Sequence, residues 1–275
     1  MKEVNPLKRI LTAFVSLCLA VSLCLSAFAA SKGSFDHFQP VNTFSEESFA
    51  DVSGWFAPYV STVYSMGLMQ GSINTYGERA FHPDGAITLA EIITLADRIH
   101  STYYNDGEPF LQGSPWYQTY VDYAVEKGIL ASADEYENYS VPATRAQCAG
   151  ILARALPEAA YTQINTVELG AIPDLDMEQK DSLSVYTLYR AGIFTGSAMG
   201  AFRPDDEITR SEVAAVAARI VDPSLRVSFS LYAPLYVGFT IPADNAGKVG
   251  ITGLTMTTDG ASCYLTMDFK SQESR

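Results

Sequence analysis

Three stretches of this 275-residue chain repeat one pattern, and nothing else in the sequence limits its fold so tightly. Each contains a Gly followed by an apolar residue: Gly67-Leu68, Gly128-Ile129 and Gly192-Ile193. Three, four and seven residues ahead of that Gly stand Tyr64, Val63 and Val60, then Val125, Ala124 and Val121, then Tyr189, Leu188 and Val185. The spacing is one face of a helix, and the Gly falls where a left-handed C-terminal cap belongs. A second anchor is a Thr followed three residues later by Glu or Gln: Thr88 and Glu91, Thr144 and Gln147, Thr209 and Glu212. This is the capping box, in which hydroxyl and acid or amide each satisfy an orphan amide at a helix start. Apolar residues follow each Thr at offsets 4, 7, 8 and 11: Ile92, Leu95, Ala96, Ile99; Cys148, Ile151, Leu152, Ala155; Val213, Val216, Ala217, Ile220. At offset 10 come Arg98, Arg154 and Arg219, where a last-turn cation suits the helix dipole.

A helix–loop–helix unit of this size cannot bury its own apolar face, whereas three packed together can. The predicted fold is therefore mainly α. Three helix–loop–helix repeats at 49–108, 109–171 and 172–225 form a pseudo-threefold helical body, followed by a small β-rich C-terminal segment at 226–275. In that segment Val227, Phe229 and Leu231 alternate with Ser228 and Ser230, and Ile251–Met256 and Cys263–Phe269 flank an Asp259-Gly260 turn, which predicts three or four strands. At the other end Lys2, Lys8 and Arg9 precede an apolar run and the small-residue pattern Ala27-Phe28-Ala29. Residues 1–29 read as an export signal cleaved after Ala29, the alternative being an uncleaved membrane anchor. Residues 30–48 read as a polar lead-in.

The formal charge of −13 becomes −15 once the signal leaves with three basic residues and one acidic one, so the bulk field excludes nucleic acid as a partner. Any anion must be held by local pockets. Cys18 and Cys24 leave with the signal, and Cys148 and Cys263 read as separate buried thiols. His37, His82 and His100 show no metal-ligand spacing, and no catalytic motif is present. The residues predict neither an enzyme nor a cofactor or metal.

Taken together the anchors resemble the S-layer homology family. The match runs over about residues 49–221. It includes Phe49-Ala50-Asp51-Val52 with Trp55, and Ile172-Pro173-Asp174-Leu175. It includes the loops Phe81-His82-Pro83 and Phe202-Arg203-Pro204. The helix starts are Ile208-Thr209-Arg210-Ser211-Glu212, Ala143-Thr144-Arg145-Ala146-Gln147 and Ile87-Thr88-Leu89-Ala90-Glu91. The middle segment departs from the pattern, with Gln112 at the Asp position and a shorter loop. The resemblance implies non-covalent attachment of an exported protein to the bacterial cell wall. Its partner would be a secondary cell-wall polysaccharide, often pyruvylated, held in grooves between repeats. It implies Arg145, Arg210, Trp55, Trp116, Asp51, Asp174, Gly71 and Gly196 as carbohydrate contacts, with Thr88, Glu91, Thr144, Gln147, Thr209 and Glu212 as helix caps.

An Arg in the first turn opposes the helix dipole, yet with free helix amides it makes an anion site. The competing reading is a surface ion pair with an acid such as Asp205 or Asp206. For the two Trp the alternatives are stacking on a sugar ring or packing in the core. Asp51 and Asp174 alternatively cap the first helix or order the turn before it. Leu89 stands where the other segments have Arg, so the groove it serves is predicted to be weakened. A second function class stays open: a surface assembly protein that self-associates through its C-terminal strands.

Overall fold

The structure is a computed structural model and describes residues 32–45, 47–73, 75, 77–105, 110–197, 200–231, 249–258 and 263–271. The expected export signal and the expected Asp259-Gly260 turn lie outside the described residues. The fold is mainly helical. Among the described residues the α-helices are α1 (Ala57–Ser65), α2 (Leu89–Tyr104), α3 (Gln118–Glu126), α4 (Arg145–Arg154), α5 (Ser182–Arg190) and α6 (Arg210–Val221). A short antiparallel pair, β1 (Ser72–Ile73) and β2 (Arg79–Ala80), lies in the first segment. Among the described residues no helix is long and apolar enough to cross a membrane. The chain divides into two compact units at Ala233 and Pro234.

The lead helices α1, α3 and α5 all end in the same way. Gly67, Gly128 and Gly192 have φ of 73°, 73° and 71°. Their amides donate to Tyr64, Val125 and Tyr189, and the next amide, of Leu68, Ile129 or Ile193, reaches back to Val63, Ala124 or Leu188 at 2.8–2.9 Å. This is the six-to-one closure that a left-handed residue permits. The surroundings of the three differ. A Cβ on Gly128 would meet nothing within 4 Å, whereas one on Gly192 would lie 2.5 Å from the Val227 carbonyl oxygen and 2.7 Å from Ile164 Cδ1. Gly128→Ala is therefore expected to cost about 1 kcal/mol of backbone strain, and Gly192→Ala roughly 3 kcal/mol once the clash is added. Urea denaturation of the two variants measures the difference.

The second helices α2, α4 and α6 begin with complete capping boxes. Thr88, Thr144 and Thr209 each accept an amide from the residue three on at 3.3 Å, and Glu91, Gln147 and Glu212 each accept the Thr amide at 2.8–3.0 Å. The residues just before the caps close a ring. Ile87 N–H donates to the Ile208 carbonyl, Ile208 to Ala143, and Ala143 back to Ile87, at 3.1, 3.2 and 2.8 Å. Helix packing crosses the segments as well. The lead helix α3 packs on α2 of the first segment, α5 on α4 of the second, and α1 on α6 of the third. Each segment thus buries its apolar faces against its neighbours, and the first is joined directly to the last. The core is continuous, with Ile92, Leu95, Ile151, Leu152, Val213 and Val216 within it.

Three expectations change. First, Arg98 is not in a last turn, because α2 runs on to Tyr104. The feature common to Arg98, Arg154 and Arg219 is a bond to the carbonyl just after the capping Gly: Leu68, Ile129 and Ile193, at 3.0, 2.7 and 3.0 Å. Second, the described residues of the expected polar lead-in, 32–45, 47 and 48, also pack on the body. Phe38 is buried in the core, and the Val41 and Asn42 amides donate to Ser65 while Asn42 Nδ2 donates to the Tyr64 carbonyl. Ile164 and Asn165 make the same set, to Arg190 and Tyr189. The stretches just ahead of the first and third segments thus share a Val/Ile-Asn-Thr that packs in the same way.

Third, residues 227–231 form no strand. They lie extended against the third segment, with Val227 N–H on the Gly192 carbonyl and Phe229 N–H on Asn165 Oδ1. In the C-terminal unit β3 (Val249–Thr258) pairs antiparallel with β4 (Cys263–Ser271), and the register shifts between Ile251 and Gly253.

Candidate functional site

The two motif arginines bridge segments. Arg145 leads α4, and its amide donates to the Asp206 carbonyl of the third segment. Its side chain is 7% exposed, and its Nε donates to the Phe202 carbonyl at 2.7 Å. Its Nη1 meets Glu212 Oε1 at 2.9 Å, and the guanidinium lies over the Phe194 and Phe202 rings. Arg210 repeats this against the first segment, with Nε on the Phe81 carbonyl at 2.9 Å, Nη1 on Glu91 Oε1 at 2.8 Å and the guanidinium over Phe81. Asp205 and Asp206 are therefore not the side-chain partners. The partner is the capping glutamate of the next segment, whose Oε2 holds its own helix start while Oε1 takes the Arg. Such pairs in a low-dielectric seam fix one geometry.

Beside Arg145 opens a cleft of about 160 Å³ lined by residues of all three segments. The first contributes Trp55, which is 59% exposed. The second contributes Arg145. The third contributes Phe194, Gly196, Arg203 and Glu212. Arg219 closes the floor, donating to Tyr59 Oη at 3.1 Å with its guanidinium over that ring. The cleft holds three arginines and one glutamate.

The same contacts recur one segment on. There Trp116 (44% exposed) stands by Tyr120, Arg98 Nη2 is 3.4 Å from Tyr120 Oη, and Arg210 pairs with Glu91. The two Trp are thus surface aromatics, each edge-on to two neighbouring rings. Sequence reasoning missed Arg203 and Arg219 as cleft residues, although Arg203 was visible between Phe202 and Pro204.

The third interface carries its own ion pairs. Lys180 stands where the other lead helices have Trp, and its Nζ is 2.8 Å from Glu135 Oε1. Arg154 reaches Asp181 Oδ1 at 2.7 Å and Glu135 at 3.5 Å. The ammonium and guanidinium hold the Glu135 carboxyl below its usual range against the opposing effect of burial. Gly150 leaves the space that the Asp181 carboxylate fills. Here Leu89 replaces the bridging Arg, its amide donating to the Val141 carbonyl as Arg210 donates to Gly85. The capping residue of the second segment is correspondingly the neutral Gln147.

The remaining candidates have structural work. Asp51 accepts the Phe81 and His82 amides at 2.8 and 2.7 Å, and Asp174 accepts those of Phe202 and Arg203, both at 2.7 Å. They order the later loop of their own segment and cap neither lead helix. Gly71 has no room for a Cβ, which would come within 2.7 Å of Phe49 Cε1, and Gly196 likewise accommodates the Tyr189 hydroxyl. Cys148 is fully buried, and burial pushes its thiol up to about 12.

The chain thus has a helical body of packed segments with a cationic cleft, edged by Trp55, at a seam between them. The S-layer homology domain family matches residues 48–93 and 172–214, so the chain carries that domain in its first and third segments. The family is one of binding and anchoring modules of the cell wall, and it goes with association with the cell surface. No curated protein gives a significant match to the chain.

Proposed function

We propose that the chain is an exported anchor that binds an acidic secondary wall polysaccharide in two of its three inter-segment clefts. Three repeats make up the anchor, with the middle one the most divergent, and the export signal ends at Ala29. The closed hydrogen-bond ring and the cross-segment helix pairs support a pseudo-threefold body. The β3–β4 pair belongs to a separate C-terminal piece.

The observation that carries the reading is the cleft of Trp55, Arg145, Arg203 and Arg219, a cationic site on a chain of net charge −13. An arginine fork matches a sugar-borne carboxylate, and an exposed indole suits the apolar face of a pyranose. Gly196 lines the cleft beside them; Asp51, Asp174 and Gly71 act by shaping the loops. The second cleft repeats the Arg, Glu and Trp, and the third is closed by its own ion pairs.

The mature protein is expected to co-sediment with cell-wall sacculi and to be released when the secondary polymer is stripped. Trp55→Ala together with Trp116→Ala should weaken pelleting by about tenfold or more, the scale of losing anchor aromatics. Both side chains are exposed, so the melting temperature should hold. Undiminished sedimentation after stripping would overturn the proposal.

A further inference from the structure

The cleft beside Arg145 takes one wall from the third segment, the consecutive residues Ile193 to Ser197. The loop that forms this wall runs from Gly192 to Phe202 and is four residues shorter than its counterpart from Gly67 to Phe81. The longer loop carries the β1–β2 pair. The shorter one has no strand among its described residues. Its Ser197 amide donates to the Ala201 carbonyl and its Gly200 amide to the Ser197 carbonyl, both at 2.9 Å. A loop of this kind opens locally unless its neighbours hold it.

The neighbour here is the extended stretch Val227–Leu231. Where the loop begins, Val227 N–H donates to the Gly192 carbonyl at 2.9 Å. Asn165 grips the stretch as a strand partner would. Its Nδ2 donates to the Val227 carbonyl at 3.0 Å, and its Oδ1 accepts the Phe229 amide at 2.9 Å. Leu231 reaches the far end of the loop, where a Cβ on Gly200 would lie 2.8 Å from Leu231 Cδ2. Between these points Phe229 stands edge-on to Tyr189, with ring centroids 5.9 Å apart. Tyr189 in turn touches two parts of the cleft wall. Its hydroxyl fills the space that a Cβ on Gly196 would need, and its ring meets that of Phe202 at 5.8 Å. Phe202 lies under the Arg145 guanidinium and accepts Arg145 Nε on its carbonyl. The first segment has the same frame without the stretch. Asn42 Nδ2 holds the Tyr64 carbonyl as Asn165 Nδ2 holds that of Tyr189, yet a Cβ on Gly67 would meet only Val41 among the described residues.

We propose that Val227–Leu231 is a brace that holds the cleft in its ligand-competent shape, with Phe229 and Asn165 as positioning residues. The inference rests on the polysaccharide reading above. Neither residue lines the cleft. They act through Tyr189 and the Gly192 carbonyl on Gly196 and Arg145. Coupling of this kind is reciprocal: the factor by which the docked brace favours the ligand is the factor by which the ligand favours the docked brace.

The chain has two tryptophans, so 5-fluorotryptophan gives two ¹⁹F signals, and Trp116→Phe assigns that of Trp55. The full mature chain is titrated with the methyl glycoside of a 4,6-O-pyruvylated N-acetylhexosamine. Phe229→Ala should weaken the binding read at Trp55 by about fivefold, the low end of couplings between sites. In the wild type, saturating glycoside should slow hydrogen exchange of the Val227 and Phe229 amides by the same factor. The Val41 amide, at the unbraced helix end of the first segment, should not respond. A brace that served stability alone would leave its exchange indifferent to ligand. If Phe229→Ala fails to fold, the exchange measurement on the wild type decides alone. Wild-type affinity in a folded Phe229→Ala, or unchanged exchange at Val227 and Phe229 under saturating glycoside, would overturn the inference while leaving the polysaccharide reading intact. A wild-type Trp55 signal that does not respond to the glycoside would overturn both.

Discussion

Replacing Asp97 by Ala should raise the stability of the protein, and by more as the pH rises. Asp97 lies on α2 with its side chain fully buried, and neither carboxylate oxygen has a hydrogen-bond partner. Burial alone raises its carboxyl to about 9. The folded chain therefore keeps this proton up to about pH 9, whereas the unfolded chain releases it near pH 4. The unfolded state binds fewer protons across that interval, so wild-type stability falls as pH rises through it and is greatest below about pH 4 as far as this group is concerned. Between pH 4 and 7 the loss is on the order of 4 kcal/mol, at about 1.4 kcal/mol per unit. Ala is the residue at the same offset from the helix-capping Thr in the other segments, Ala153 and Ala218, so the fold accepts it there. Chemical denaturation of wild type and Asp97→Ala at pH 5 and 8 should show a gap that widens with pH. A constant gap would mean that Asp97 is solvated or paired in solution.

The burial of Asp97 was not read in the sequence; the capping boxes and the helix-ending glycines were legible there. All of these are local: the partner of Thr88 is three residues away, and the cap at Gly67 is closed by its own helix. The partners across the seams were not legible. Arg145 and Glu212 are 67 residues apart, and a repeating sequence gives every Arg the same three candidate neighbours. Which one it meets depends on how the segments circle the hydrogen-bond ring at Ile87, Ala143 and Ile208. Hence the ion pair weighed against ligand binding was one with Asp205 or Asp206, whereas the arginines reach the capping glutamate of the next segment. Inequality of the grooves was legible from Leu89 alone. Its full extent depends on Lys180, Glu135 and Asp181, whose contact the loop geometry decides. The shared Val/Ile-Asn-Thr at 41–43 and 164–166 was visible and overlooked, since it stands outside the helices that framed the repeat.

The seam chemistry makes a sharper test of how the segments hold together. Arg145→Leu should destabilise the protein by about 1–3 kcal/mol, because it removes the donor to the Phe202 carbonyl and leaves Glu212 Oε1 with only Arg203 at 3.5 Å. Glu212→Gln alone should also cost stability, because it leaves a guanidinium that is 7% exposed without its carboxylate. Its helix cap should survive, since Gln147 closes the same box in the second segment through its amide oxygen. Combined, the two substitutions rebuild in the second-to-third seam what the chain already uses in the first-to-second, where Leu89 stands in the Arg place and Gln147 in the Glu place. The double variant should therefore be more stable than additivity allows, with a coupling of about 1–3 kcal/mol in a urea-denaturation cycle. Additive losses would mean that Leu89 and Gln147 are unrelated, and that the seam closes through the backbone ring alone. Because Arg145 also lines the cleft, the double variant should fold yet lose binding at the Trp55 cleft. On the proposed reading that outcome would separate two roles of one side chain: an ion pair between segments that a neutral pair replaces, and a charge for the ligand that it does not replace.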